Sequence, residues 1–242
     1  MRFKNKVAIV TGAGQGLGAA FAKDFAKEGA AVVLIGRTQR KLDRVAAEIE
    51  AAGGKALTFK ADVSEYKQVD ECVKKVINVF GQVDILINNA AVHKSVPVVE
   101  TEPEDWDLQI KVNLSGAFYC TRAVLPYMIR KRYGKIINIS SSAAKVFFPG
   151  FGAYAASKGG MVSFTHTLSE EVKQYDINVN AIYLGMTNTE HSKERAGTDK
   201  AITIPLEEMM QVDEVSKIVM FLASDDAKAI MGAAIDVFGK KS

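Results

Sequence analysis

Tyr154 and Lys158 stand four residues apart in the run AYAASKGGMVSFTHTLSEEV, whose apolar positions Met161, Phe164, Leu168 and Val172 recur at helical spacing. A phenol and an amine so spaced share one helix face. A free phenol titrates at about 10 and is a poor base at neutral pH, but a nearby ammonium favours the phenolate and draws that value down. The pair is therefore suited to giving or taking a proton. A hydroxyl stands close by: Ser141 ends KIINISS, a β-branched run with the character of a buried strand, and open α/β sheets gather their ligands at strand ends. An isolated Tyr-x-x-x-Lys also fits a core tyrosine beside a solvated lysine. The serine at the strand end sets this pair apart.

The elements that must hold these groups read as strand and helix in alternation. Lys6–Thr11, Ala31–Ile35, Ala56–Ala61, Val83–Ile87, Lys135–Ile139, Ile177–Tyr183 and Ala234–Phe238 have the composition of buried strands. Between them lie helical patterns from Gly16, over Arg40–Ala52, Ser64–Phe80 and Trp106–Arg132, through the Tyr154 helix, and over Asp213–Ala223. This order predicts one doubly wound parallel sheet of about seven strands, with helices on both faces. No Pro/Ser-rich linker divides the chain, so residues 1–242 are expected as a single domain. The polar, weakly periodic segment 187–205 is expected to act as a mobile lid.

The first strand runs into Thr11-Gly12-Ala13-Gly14-Gln15-Gly16-Leu17-Gly18 and then a helix. Glycines there allow a tight turn, bring a pyrophosphate close to backbone N–H groups and let helix and strand pack, while the helix start supplies partial positive charge. The expected ligand is a dinucleotide. The second strand ends Leu34-Ile35-Gly36-Arg37-Thr38, with no carboxylate for ribose hydroxyls and a guanidinium in place for a 2′-phosphate, which favours NADP(H) over NAD(H). A solvated loop arginine is the alternative, and the glycine turn carries Gln15 rather than a second basic residue.

Composition narrows the partners. The 242 residues are 48% hydrophobic and 24% charged, with a formal net charge of +3, too small to argue for nucleic acid or an acidic membrane. Cys72 and Cys120 form no C-x-x-C, and no Cys/His cluster has zinc-ligand spacing, so no metal is expected. No apolar run is long enough to span a membrane or to serve as a signal peptide, so a reducing cytoplasm is expected.

Taken together these residues resemble the short-chain dehydrogenase/reductase family over essentially the whole chain, and in particular its bacterial 3-oxoacyl carrier-protein reductases. The family's T-G-x-x-x-G-x-G matches Thr11, Gly12, Gly16 and Gly18, and its N-N-A-G matches Asn88-Asn89-Ala90 with Ala91 in the last place. Its catalytic Asn, Ser, Tyr and Lys match Asn113, Ser141, Tyr154 and Lys158. The resemblance implies hydride transfer between nicotinamide and a carbonyl or secondary alcohol. Tyr154 would move the proton, Ser141 polarise the oxygen, Lys158 hold the ribose and lower the tyrosine pKa, and Asn113 steady a proton-passing water.

The resemblance also implies that Gly14, Gln15, Leu17, Asp62, Val63, Asn89, Ala90, Gly185 and Thr187 contact the cofactor. It implies a homotetramer too, with the Trp106–Arg132 and Tyr154–Gln174 helices pairing between subunits. The chain departs from the family at Tyr183-Leu184-Gly185, where Pro-Gly is usual, at Lys240 after Gly239, and at Ala91. Val146, Phe147, Phe148 and Phe151 offer an apolar substrate wall, Phe148 first among them, or simple packing beneath the loop. Arg130-Lys131-Arg132 offers a dock for an acidic acyl carrier, although cations at a helix C-terminus already suit the macrodipole. Lys193, Arg195 and Lys200 either meet a carrier phosphate or face water. His93 either reaches the cleft or is structural, and Trp106 reads as core. The substrate class left open is a 3-oxoacyl thioester, or a hydroxysteroid, polyol or cyclic alcohol; a catalytically silent cofactor sensor is the alternative of a different class.

Overall fold

The computed structural model describes residues 1–190, 192 and 205–239. Its β-branched runs form β1 (Val7–Thr11), β2 (Ala31–Gly36), β3 (Lys55–Lys60), β4 (Ile85–Asn88), β5 (Gly134–Ile139), β6 (Ile177–Leu184), the two-residue strands β7 (Thr187–Asn188) and β8 (Met210–Gln211), and β9 (Ala234–Val237). Seven of these make one parallel sheet in the order β3-β2-β1-β4-β5-β6-β9, and β7 pairs with β8 alone. The strand order reverses between β1 and β4, which opens a crevice beyond their C-terminal ends.

Helices cover both faces because alternate strand residues are apolar on each. Ala8, Val10, Val32 and Leu34 join one core with side chains of α1 (Gly16–Lys27), α2 (Gln39–Ala51) and α7 (Val212–Leu222). Val7, Ile9, Val33 and Ile35 join the other, with α3 (Tyr66–Phe80), α5 (Gly116–Lys131) and α6 (Gly152–Val172). Gly81 ends α3 in the left-handed region, at φ 73°, where a side chain would be strained.

One expected helix is divided. Instead of running unbroken over Trp106–Arg132, the chain forms α4 (Pro103–Ile110), a π-helical turn over Lys111–Ser115, and then α5. Trp106 is not core: it is 42% exposed, and Gln109 is the one fully buried side chain of α4. The short helix packs on α6 and the π turn rather than on the sheet, which leaves its apolar side chains uncovered in a single chain.

The start of β4 is tied to β1 by a buried carboxylate. Asp84 accepts a hydrogen bond from Val7 N at 2.8 Å and another from Lys131 Nζ. Lys131 is thereby committed to the fold. Its neighbour Arg132 gives Nη2 to Gln174 O at 2.7 Å, and Arg130 lies over the Tyr127 ring at 4.7 Å. This basic helix end precedes β5, whereas Ser141 follows it, so the two lie at opposite edges of the sheet. Asp84→Ala leaves Val7 N and Lys131 without their acceptor, and the expected loss is about 3 kcal/mol in urea unfolding. A midpoint within error of wild type would contradict that role for Asp84.

Candidate active site

The glycine turn is shaped by contacts that leave no room for side chains. Gly12 has φ 66°, and a Cβ there would fall 2.9 Å from Asn89 Nδ2 and 3.0 Å from Ala90 Cα. A Cβ on Gly18 would lie 2.3 Å from Gly12 O, so helix α1 can start against the strand only with glycine at that position. Asn89 closes the junction from β4 by donating its amide to Thr11 O at 2.9 Å, while its own N–H donates to Thr11 Oγ1 at 2.9 Å.

These residues line a cavity of about 550 Å³, a size suited to a cofactor. Of the expected cofactor contacts, Gly12, Gly14, Gln15, Gly16, Leu17 and Gly18 line it from the turn. Arg37, Asp62, Val63, Asn89 and Ala90 line it from the ends of β2, β3 and β4. Asp62 has one oxygen already engaged by Ser64, which donates N at 2.9 Å and Oγ at 2.7 Å. Thr38, Lys41, Val92, Val112 and Thr189 also line the cavity and were not foreseen. Only Lys41 had a readable signal, a cation one turn after Arg37. Thr189 lies 3.9 Å from the Cβ position of Gly16, so the segment after β6 reaches the turn. In the expected lid 187–205, residues 191 and 193–204, including Lys193, Arg195 and Lys200, lie outside the described residues, as does Lys240.

His93 also lines the cavity, whereas Ser141, Tyr154 and Lys158 stand outside its lining. The His93 ring lies 4.7 Å from that of Tyr154 and 4.5 Å from that of Phe151, so it reaches the cleft. Phe148 is half-buried, 5.3 Å from Phe151, whereas Phe147 is 93% exposed and takes no part in the wall. Ser141 follows β5 and caps a short 3-10 turn, accepting from Ala143 N at 3.2 Å. Gly185 and Thr187 follow the neighbouring β6. Gly185 N donates to Val237 O at 2.8 Å, and Thr187 Oγ1 donates to Gly185 O at 3.3 Å.

Tyr154 and Lys158 sit one turn apart on α6, as their spacing predicts. Lys158 is 1% exposed and donates to Ile139 O at 2.7 Å, with its nitrogen 5.8 Å from the centre of the Tyr154 ring. Burial lowers the lysine pKa to about 7 and raises that of the phenol, while hydrogen bonding to Ser141 pulls the phenol the other way. The expected order of effects is thus reversed. Burial outweighs the hydrogen bond to Ser141 at the phenol, which favours its neutral, proton-bearing form.

Asn113 is brought to the same place by the π turn, but as a clamp. It accepts from Val92 N at 2.8 Å and donates to Val92 O at 2.9 Å and to Ser157 Oγ at 3.0 Å. Both amide hydrogens are used, so the side chain has none left to give a water. Instead it fixes the backbone next to His93, and through Ser157, which donates to Tyr154 O at 2.7 Å, the start of α6.

The model of the short chain dehydrogenase family matches residues 6–200. The chain belongs to that family. It is 37% identical over 242 residues to a 3-oxoacyl-acyl-carrier-protein reductase of Thermotoga maritima, covering 99% of this chain and 98% of the relative. A reductase of the same name from Synechocystis is 36% identical over 236 residues, covering 97% and 96%. A hydroxy(phenyl)methyl-succinyl-CoA dehydrogenase subunit of Thauera aromatica is 34% identical over 247 residues, covering 100% and 98%. This short-chain dehydrogenase is accordingly an NAD(P)-dependent oxidoreductase acting on CH–OH or C=O groups. Among its described residues no cluster could hold a metal ion, and no helix is long and apolar enough to cross a membrane.

The buried amine gives the dehydrogenase a measurable signature. A lysine neutral in the fold and charged when unfolded takes up a proton on unfolding, so stability rises with pH between about 7 and about 10.4 and is flat below about 7. Lys158→Met should remove that slope and unfold at higher urea than wild type at pH 6, a gain on the order of a few kcal/mol. An unchanged slope would show that Lys158 is not the group responsible.

Proposed function

We propose that this short-chain dehydrogenase transfers hydride between NADP(H) and a carbonyl or secondary alcohol, with a 3-oxoacyl thioester as the preferred substrate class. The observation that carries the reading is the half-buried Tyr154 phenol, bonded to Ser141 and one helical turn from the buried Lys158 amine, next to the cavity-lining His93. The glycine turn fits a pyrophosphate because Gly12, Gly14, Gly16 and Gly18 line the cavity where α1 begins, and a helix start favours an anion. Arg37, with no acid beside it on the strand end, fits a 2′-phosphate. Lys158 would hold the ribose hydroxyls near its buried amine.

A nicotinamide held in this cavity would supply or accept the hydride. Tyr154 gives its phenolic proton to the carbonyl oxygen, and Ser141 orients and polarises the same oxygen. Lys158, titrating near 7, stands ready to restore the proton. Asn113 is a positioning residue that keeps Val92 and the start of α6 in register. Phe148 and Phe151 give the substrate an apolar neighbour, which suits an acyl chain. Relatives named for acyl-carrier and CoA substrates support a thioester, and an acyl carrier is then a partner. Exposed Trp106, Leu108 and Phe118 support a homotetramer in which the helices of residues 106–132 and 154–174 pair between subunits.

Tyr154→Phe should lower kcat by about 10²- to 10⁴-fold on acetoacetyl-CoA while the NADPH Kd stays within about twofold. Near-normal turnover in that variant would defeat the proton role. Tight NADPH binding by the wild type without turnover of any acyl, steroid or cyclic ketone would point to a silent sensor instead. Arg37→Asp should move cofactor preference toward NADH, and an unchanged ratio of kcat/KM values would remove Arg37 from the 2′-phosphate site.

A further inference from the structure

Arg37 and Lys41 line the open end of the cavity beside Gln15 and Thr38. Among the described residues neither is ion-paired, whereas Lys23, Lys74, Lys94 and Lys111 each have a carboxylate. The Lys41 ammonium instead donates to Gln15 Oε1. Its stem crosses the glycine turn so closely that a Cβ on Gly14 would lie 3.0 Å from Lys41 Cβ. The amine is therefore delivered from α2 to the very side chain that occupies the turn.

The charge arrangement is unfavourable without an anion. Helix N-termini attract negative charge, yet the first turn of α2 has no acidic residue, its N-cap Thr38 makes no side-chain cap, and Arg37, Arg40 and Lys41 crowd its positive end. A phosphate would offset both the mutual repulsion of the cations and their conflict with the helix dipole. It would also be a stronger acceptor for the ammonium than the neutral amide of Gln15.

We propose that Lys41 is the second cation of a two-cation seat for the 2′-phosphate of NADP(H), entering from α2 because the glycine turn itself carries neutral Gln15. This rests on the NADP(H) reading above and makes Lys41 a specificity-determining residue for the cofactor. Both cations are solvent-exposed, so their contribution weakens as salt rises.

Fluorescence titration of the full-length wild type, Lys41→Met and Arg37→Ala with NADPH and NADH tests the seat, with 2′,5′-ADP as a competitor lacking nicotinamide. Wild type is expected to prefer NADPH. Each variant should lose about tenfold in NADPH affinity, with NADH affinity within about twofold of wild type. Competition by 2′,5′-ADP should weaken by a similar factor, and raising salt should erode the wild-type preference more than that of Lys41→Met. An NADPH preference that survives Lys41→Met but not Arg37→Ala overturns the role of Lys41 alone. Equal loss of both cofactors in Lys41→Met overturns it too, by showing a structural role. A wild type without NADPH preference overturns the NADP(H) reading and the seat with it.

Discussion

Thr11 Oγ1 takes part in three hydrogen bonds at the point where the strand order turns back: it donates to Ile87 O at 3.2 Å and accepts from Asn89 N at 2.9 Å and Ala90 N at 3.0 Å. One hydroxyl thereby fixes the directions in which the chain leaves β1 and β4. The gap between those two departures is the cavity. Its floor follows from the same junction, because Asn89 can reach Thr11 O only if residue 12 lacks a side chain, and α1 can start there only if residue 18 does. Asp84 performs the matching task at the other edge of the two strands, accepting Val7 N at 2.8 Å. The two strands are held in register from both ends.

Farther along the cleft the deciding influence is dehydration. An ammonium beside a phenol favours phenolate in water, but with Lys158 buried and Tyr154 half-buried each shifts toward its uncharged form. A phenol held in that form can give a proton. Burial also explains why Lys158 donates to the backbone at Ile139 and why Ser140 Oγ holds Lys158 O at 2.9 Å. The end of β5 and the second turn of α6 are fastened to each other through the lysine residue, main chain and side chain alike.

The sheet and the glycine turn were legible because they rest on local rules: β-branched runs, glycines at a strand end, and Tyr154 and Lys158 at helical spacing. What escaped depends on tertiary placement. Nothing local marks Lys111–Ser115 as a π turn, yet that extra residue in the turn is what aims Asn113 at Val92 and Ser157; such turns recur at functional sites. Trp106 reads as core from its type alone, and its exposure follows from where α4 packs. The order of pKa effects at Tyr154 follows burial, a property of the assembled chain that local sequence does not carry. His93, undecided from sequence, is settled at the cleft by its ring contacts with Tyr154 and Phe151.

The two ends of the cleft therefore work under opposite electrostatic conditions. Arg37 and Lys41 stand in solvent, where charge is screened and a side chain can be exchanged with little cost to the fold. Lys158 and Ser157 are fully buried, and Asn113 with them, in a network where each removal strands a polar partner. The fold thus tolerates substitution at the exposed end more readily than at the buried end. The glycine turn between them is neutral and mostly backbone. Solvent screens the cations at α2, so their field falls off within about a Debye length of the open end of the cleft.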